Sequence, residues 1–266
     1  MTYKSIIYEK QGSIGRLILN RPEAGNTLNL DLAKELFDVL NAANADKNLK
    51  ALILTGKGKL FCGGGDLNFL LEKKDNVKET LLMMTHYFHG AISRIAKLSA
   101  PVITGINGTA GGGGFSLAIT GDIIISVSTA KFTLAYTNAG LSPDGSSTYY
   151  LPRILGLKKA KELMLTNRVF SAEEAWKMDL IDKVVENQEQ LEEELTKQAE
   201  IFAKGPKQAY ASVKKLLNMS FSNGLETQME AEGLHIANNA QSDNGNEGML
   251  AFKEKRSPNF KWLKKK

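Results

Sequence analysis

Two glycine-rich turns carry most of the chemical promise of this sequence. The first is Lys59-Leu60-Phe61-Cys62-Gly63-Gly64-Gly65-Asp66, and the second is Asn107-Gly108-Thr109-Ala110-Gly111-Gly112-Gly113-Gly114-Phe115-Ser116. Glycine lets a backbone bend sharply and approach a ligand closely, leaving main-chain N–H groups free to point at it. A phosphate cradle is one use of such turns. Neither run ends in Gly-Lys-Ser/Thr, however, and neither fits the spaced dinucleotide fingerprint closed by an acidic residue on a following strand. Two turns converging on one oxygen would instead make an oxyanion hole, and a helix opening in the second would add positive potential there. Close packing of strand on helix accounts for the same glycines equally well. Of the nearby carboxylates, Asp66 reads as ordering its own turn by accepting backbone N–H bonds, and Asp122 stands where a strand begins after a helix. His86 and His89 are three apart and share a helix face, but no third ligand stands at metal spacing, so they read as ordinary helix residues and no metal is expected.

The turns need elements to hold them. Alternating apolar residues over 13–20 predict a strand, stopped by Arg21-Pro22-Glu23 and a turn through Gly25-Asn26. Asp31 then opens a helical pattern in Leu32, Leu36, Phe37, Val39 and Leu40, which closes in the polar stretch 44–48. Residues 51–55 read as a short buried strand. A second unit follows with a helix over 78–98, a strand over 102–106, a helix opening near Gly113 and a strand over 123–127. Repeated βα units predict an α/β fold with largely parallel pairing. Beyond about Phe132 the pattern turns helical, with helices expected over 158–166, 172–178, 188–202, 206–219 and 225–240. Helices with no sheet to cover often pack on a neighbouring subunit, so oligomerisation is expected. Glu192-Glu193-Glu194 reads as a solvated helix face, and 72–79 as a mobile charged loop.

Composition bounds the rest. The chain has 266 residues, 42% hydrophobic and 24% charged, enough for one large globular domain with a substantial core. Cys62 is the lone cysteine, so no internal disulfide forms, which favours a reducing, cytoplasmic home. The net charge is +5, but Lys261, Lys264, Lys265 and Lys266 fall in the last six residues. No folded basic stripe with interleaved aromatics appears in the body, so no nucleic-acid partner is expected. The uncharged run 98–121 is long enough to cross a bilayer. It contains Pro101, Asn107 and several glycines, however, so it reads as protein interior and no membrane association is expected. The N-terminal segment lacks an apolar stretch of signal-peptide length.

Four segments, taken together, resemble one known family. They are Leu19-Asn20-Arg21-Pro22-Glu23, then Lys59-x-Phe61-Cys62-x-Gly64-Gly65-Asp66, then Asn107-Gly108-x-Ala110-x-Gly112-Gly113-Gly114, and Glu247-Gly248-Met249-x-Ala251-Phe252-x-Glu254-Lys255-Arg256. Their order and spacing are similar to those of the enoyl-CoA hydratase/isomerase, or crotonase, superfamily across nearly the whole chain. The resemblance implies a crotonase-like spiral of ββα units over residues 1–200 and a helical trimerisation region over 201–266. It implies coenzyme A thioesters as substrates, no tightly bound cofactor, and a homotrimer or dimer of trimers. By position, the N–H groups of Gly65 and Gly113 would hold the thioester oxygen as charge builds on it. Phe61, Cys62, Gly63, Asp66, Leu67, Gly112, Ser116 and Tyr136 are the expected substrate contacts. Arg21, Lys59 and Lys255 match cations near the CoA phosphates, and Leu67, Phe69, Leu70, Met83, Met84, Tyr87 and Phe115 are the candidate acyl pocket.

Within that family the resemblance also bears on the reaction. Hydrating members carry two carboxylates, one just after the second glycine turn and one soon after the next strand. Here those positions hold Ser116 and Tyr136, which are poor acid–bases at neutral pH. Gly140-Leu141-Ser142-Pro143-Asp144-Gly145 instead looks like the segment of the isomerase branch in which an aspartate moves a proton between two carbons. Ser-Pro-Asp-Gly is also a good type I turn, so family register is what points to Asp144 as the proton shuttle.

Overall fold

The computed structural model describes residues 3–260 of the chain. In chain order the elements begin with β1 (Ile6–Gln11), β2 (Ile14–Leu19), α1 (Leu30–Ala45), β3 (Ala51–Gly56), β4 (Leu60–Cys62), α2 (Leu67–Glu72) and α3 (Val77–Lys97). Next come β5 (Val102–Ile106), β6 (Thr109–Gly111), α4 (Gly112–Ala118), β7 (Ile123–Val127), β8 (Lys131–Thr133), α5 (Ser147–Thr166) and β9 (Phe170–Ser171). Then follow α6 (Ala172–Lys177), β10 (Lys183–Val185), α7 (Gln188–Lys204), α8 (Lys207–Ser220), α9 (Leu225–Gln241) and α10 (Asp243–Lys253).

Among the described residues the strands form two sheets. The larger runs β1-β2-β3-β5-β7-β10, antiparallel at β1–β2 and parallel thereafter. Its inner strands are nearly unbroken apolar runs, Ala51-Leu52-Ile53-Leu54 and Val102-Ile103 among them, as parallel strands covered on both faces require. α7 covers one face, with Leu195 seated where Gly105 leaves room for it. The smaller sheet, β4-β6-β8-β9, is what brings the two glycine turns side by side. The architecture is α/β with mostly parallel pairing, followed by a helical C-terminal region, as expected from the sequence.

Several sequence expectations change in detail. The stretch after Phe132 is not purely helical: β9 completes the small sheet and β10 pairs with β7 to complete the large one. Strands of two or three residues are too short to carry a period. Residues 72–79 are not a loop either, but the end of α2, one 3-10 turn and the start of α3. α7 runs on to Lys204, so a division at residue 200 would cut a helix that covers the main sheet. α8 is fastened to the core by Lys214, which donates to the Ile95 and Ala100 carbonyls and pairs with Asp122, and by Asn218, which donates to the Ala96 carbonyl. The lysines of the C-terminal tail, Lys261, Lys264, Lys265 and Lys266, lie outside the described residues. No helix among the described residues is long and apolar enough to cross a membrane; the uncharged run 98–121 is instead β5, β6 and α4.

Candidate active site

The two glycine turns meet backbone to backbone. Gly64 has φ +104°, and a Cβ there would sit 2.9 Å from the Gly111 carbonyl oxygen. At Gly114 a Cβ would come within 2.2 Å of the Cys62 carbonyl oxygen. Only glycine permits this contact, so the packing account of these residues holds. Packing does not consume the amides of interest. Leu28 bonds on either side of Gly65, donating to the Gly64 carbonyl at 2.7 Å and accepting from the Asp66 N–H at 2.9 Å. Parallel pairing of this kind turns the amide of Gly65 itself to the opposite edge. Gly113 is the second residue of α4, where an N–H has no acceptor within the helix. Gly65 and Gly113 line one cavity of about 280 Å3.

The cavity walls are otherwise mostly apolar, including Leu28 from the loop before α1, Leu67 and Leu70 from α2, Met84 and Phe88 from α3, and Leu134 after β8, with Thr85 and Ser142 as further polar lining. Its polar end is Asp144 with Tyr136. The Tyr136 hydroxyl donates to Asp144 Oδ1 at 2.7 Å, and the Ser116 hydroxyl donates to the Asp144 carbonyl at 2.8 Å. Burial and the adjacent Asp144 charge push the Tyr136 phenol far up, so it is a neutral donor throughout the working range. Asp144 has a further neighbour: His89 Nε2 lies 3.3 Å from Oδ2 and accepts the Gly145 N–H at 3.2 Å. The sequence gives no sign of this pairing. The two residues are 55 positions apart and meet only because α3 runs past the turn before α5.

Other expected contacts fall elsewhere. Gly63, Gly112 and Leu67 line the cavity, while Ser116 is buried behind it against Tyr136 and Asp144. Phe61 and Cys62 are fully buried, because β4 turns their side chains into the core. Burial pushes the Cys62 thiol up to about 12, and its Sγ bonds to the Asn26 carbonyl. Phe115 is likewise in the core, packed edge-on against Phe132 and Phe170. Asp66 caps α2 by accepting the Phe69 N–H at 3.1 Å, and Arg21 reaches inward to Asp66 Oδ2 at 2.9 Å and to the Thr27 carbonyl. Arg21 thus braces the first turn, and no phosphate contact of its side chain is shown. Lys59 and Lys255 are exposed and do not line the cavity. Phe69, Met83 and Tyr87 also lie off it, Tyr87 being stacked edge-on against Phe37. Asp122 accepts the Val102 N–H and Lys214 at the end of the main sheet, outside the cavity. His86 packs edge-on against Tyr87, while His89 faces Asp144.

Comparison with known sequences identifies this arrangement. The pattern of the enoyl-CoA hydratase/isomerase family matches residues 9–262. The chain belongs to that family. Relatives of this hydratase/isomerase chain include the 1,2-epoxyphenylacetyl-CoA isomerase of Escherichia coli (strain K12), 34% identical over 96% of this chain and 97% of that one. The crotonyl-CoA hydratase of Syntrophomonas wolfei is 35% identical over 98% and 99%. Among solved structures, an enoyl-CoA hydratase from Polaromonas sp. JS666 superposes with a TM-score of 0.91 at 32% identity, covering 96% of this chain and 99% of that one. The chain is therefore an enzyme of crotonase type, its reaction class the hydration or isomerisation of enoyl-CoA thioesters.

Proposed function

We propose that this family member is an isomerase that shifts a double bond in an enoyl-CoA, from Δ3 to Δ2 or in a related ring-derived thioester, with Asp144 carrying the proton. The observation that supports this most is the presence of one carboxylate, Asp144, among the described residues that line the cavity shared with the two glycine turns. Asp144 removes a proton from C2, and the electron pair of that C–H bond passes into the thioester carbonyl. The N–H groups of Gly65 and Gly113 hold the resulting enolate oxygen. Asp144 then returns the proton to C4 as the electrons close a bond between C2 and C3. One base suffices, provided the enolate is held while the proton travels. Adding water would need a second acid–base group, and Tyr136, at the position where hydrating members carry a carboxylate, is held neutral by burial.

Lys59 and Lys255 supply cationic contacts for the CoA phosphates, and the acyl chain lies along Leu67, Leu70 and Met84. No other cofactor is required. The helical region from α8 onward assembles the enzyme as a trimer or a dimer of trimers. The test is to supply a trans-3-enoyl-CoA and follow the conjugated thioester absorbance. That band grows if the double bond shifts, and with a trans-2-enoyl-CoA it vanishes if water adds. Asp144→Asn lowers kcat by about 10²–10⁴-fold while CoA-ester binding persists. Equal isomerase activity in wild type and variant ends the assignment.

A further inference from the structure

The two oxygens of the Asp144 carboxylate face different partners. Oδ1 accepts the Tyr136 hydroxyl, a bond that suits the charged carboxylate. Oδ2 faces His89 Nε2 at 3.3 Å, and that same nitrogen accepts the Gly145 N–H at 3.2 Å. A ring nitrogen that accepts a backbone N–H offers its lone pair, so the proton of the neutral ring is on Nδ1. Such a lone pair repels a bare Oδ2 and attracts an Oδ2 that bears hydrogen. The geometry is braced on both sides. Gly145 directly follows Asp144, whose carbonyl is held by the Ser116 and Ser147 hydroxyls at 2.8 and 3.0 Å. On α3, His89 follows Phe88, which lines the cavity, and the two rings are 6.1 Å apart.

We infer that His89 is a positioning residue for Asp144, its Nε2 accepting the hydrogen on Oδ2 in the interval between the two proton transfers. The inference rests on the isomerase reading and deepens it. Oδ2 takes the C2 proton as the C–H pair enters the enolate. The new O–H shares the His89 Nε2 lone pair with the Gly145 N–H, without the proton leaving Oδ2, and the proton then passes to C4 as the C2–C3 double bond closes. Tyr136 and His89 thereby give the two oxygens separate duties, one anchored and one exchanging. His89 touches Asp144 and Gly145, and its side chain is 49% exposed, so substitutions there leave the core intact.

The test compares His89→Gln, whose amide oxygen keeps an acceptor, with His89→Leu, which has none. In His89→Leu, loss of one hydrogen bond to the proton carrier lowers kcat about tenfold and leaves KM within about a factor of two. The isotope effect with C2-dideuterated substrate rises in the same variant, while His89→Gln stays near wild type in kcat and isotope effect. Equal losses in the two variants, or none in His89→Leu, overturn the inference. Nitrogen NMR gives a readout independent of turnover: the His89 signals, assigned by their disappearance in His89→Gln, show Nδ1 protonated and Nε2 bare. An Nε2-protonated neutral ring overturns the inference. A wild type that isomerises nothing removes the isomerase reading and the role of His89 together, whereas an active wild type with an unaffected His89→Leu removes only the latter.

Discussion

Tyr136 shows how one buried hydroxyl can set up a site without reacting in it. Its single hydrogen goes to Asp144 Oδ1, which fixes the carboxylate while leaving Oδ2 facing His89. Burial and the neighbouring negative charge raise its ionisation far above neutrality, so it stays protonated as pH rises through the working range. Tyr136→Phe keeps the ring and loses only that donor. Hydrogen bonds to charged groups contribute about 1.5–3 kcal/mol, so kcat falls by about ten- to a hundredfold, with Asp144 less well placed. The alkaline side of the kcat/KM profile keeps its shape in the variant, because no Tyr136 ionisation shapes it in the wild type. An alkaline limb that Tyr136→Phe removes would show that the phenol does titrate and that burial fails to hold it neutral.

At the scale of elements, α2 carries the chain from the first glycine turn into the apolar wall of the cavity, and Asp66 caps that helix. Burial pushes the Asp66 carboxyl up, but the Phe69 N–H and the Arg21 guanidinium outweigh burial and hold it below the ordinary carboxylate value. A group lowered in this way stabilises the folded state above its unfolded pKa and loses that contribution as pH falls through the folded one. Asp66→Ala therefore costs about 1 kcal/mol for the cap alone near neutral pH, and the gap from wild type in urea unfolding narrows in acid. A gap that widens in acid would reverse the assigned sign. KM for the acyl-CoA also rises, because Leu67 and Leu70 move with the helix. The same elements show what could be read from the chain. β5 and β7 were legible to the residue, as buried apolar runs bounded by Pro101 and Asp122. β4 and β6 were visible only as glycine turns, because three residues have no period, and Gly156 and Pro152 hid the first half of α5. Gly65, Gly113, Tyr136 and Asp144 were found by family register and share one cavity. His89 was not, since its partner depends on how α3 lies against a distant turn. Phe61, Cys62 and Phe115 sit in glycine-turn motifs yet point into the core, a distinction between backbone and side chain that motif matching does not make.

At the scale of the whole molecule, the C-terminal helices are built differently from the core. α9 has no buried residue, yet it carries Leu225, Met229, Leu234 and Ile236, and Phe252 on α10 is 88% exposed. α8 adds Val213 and Leu217, and its C-cap Phe221, to the exposed apolar surface. A surface so rich in large apolar side chains exceeds what a monomer usually leaves in water. The charged anchor beneath it, Lys214 with Asp122, ties α8 to the core without covering that surface. Burial lowers the ionisation of Lys214 and raises that of Asp122, so the pair's attraction does not fully offset its desolvation and the anchor fixes position more than it adds stability. What completes the fold in this reading is apolar contact with further copies of the chain, which removes the exposed side chains from water. Sedimentation of the wild type at micromolar concentration then gives an assembly of three or six chains. Leu234→Glu combined with Phe252→Glu shifts it toward smaller species, and the dissociated chain melts earlier because it has lost the linkage between assembly and folding. A wild type that sediments as a single chain would refute the assembly. The exposed helices would then need a different partner.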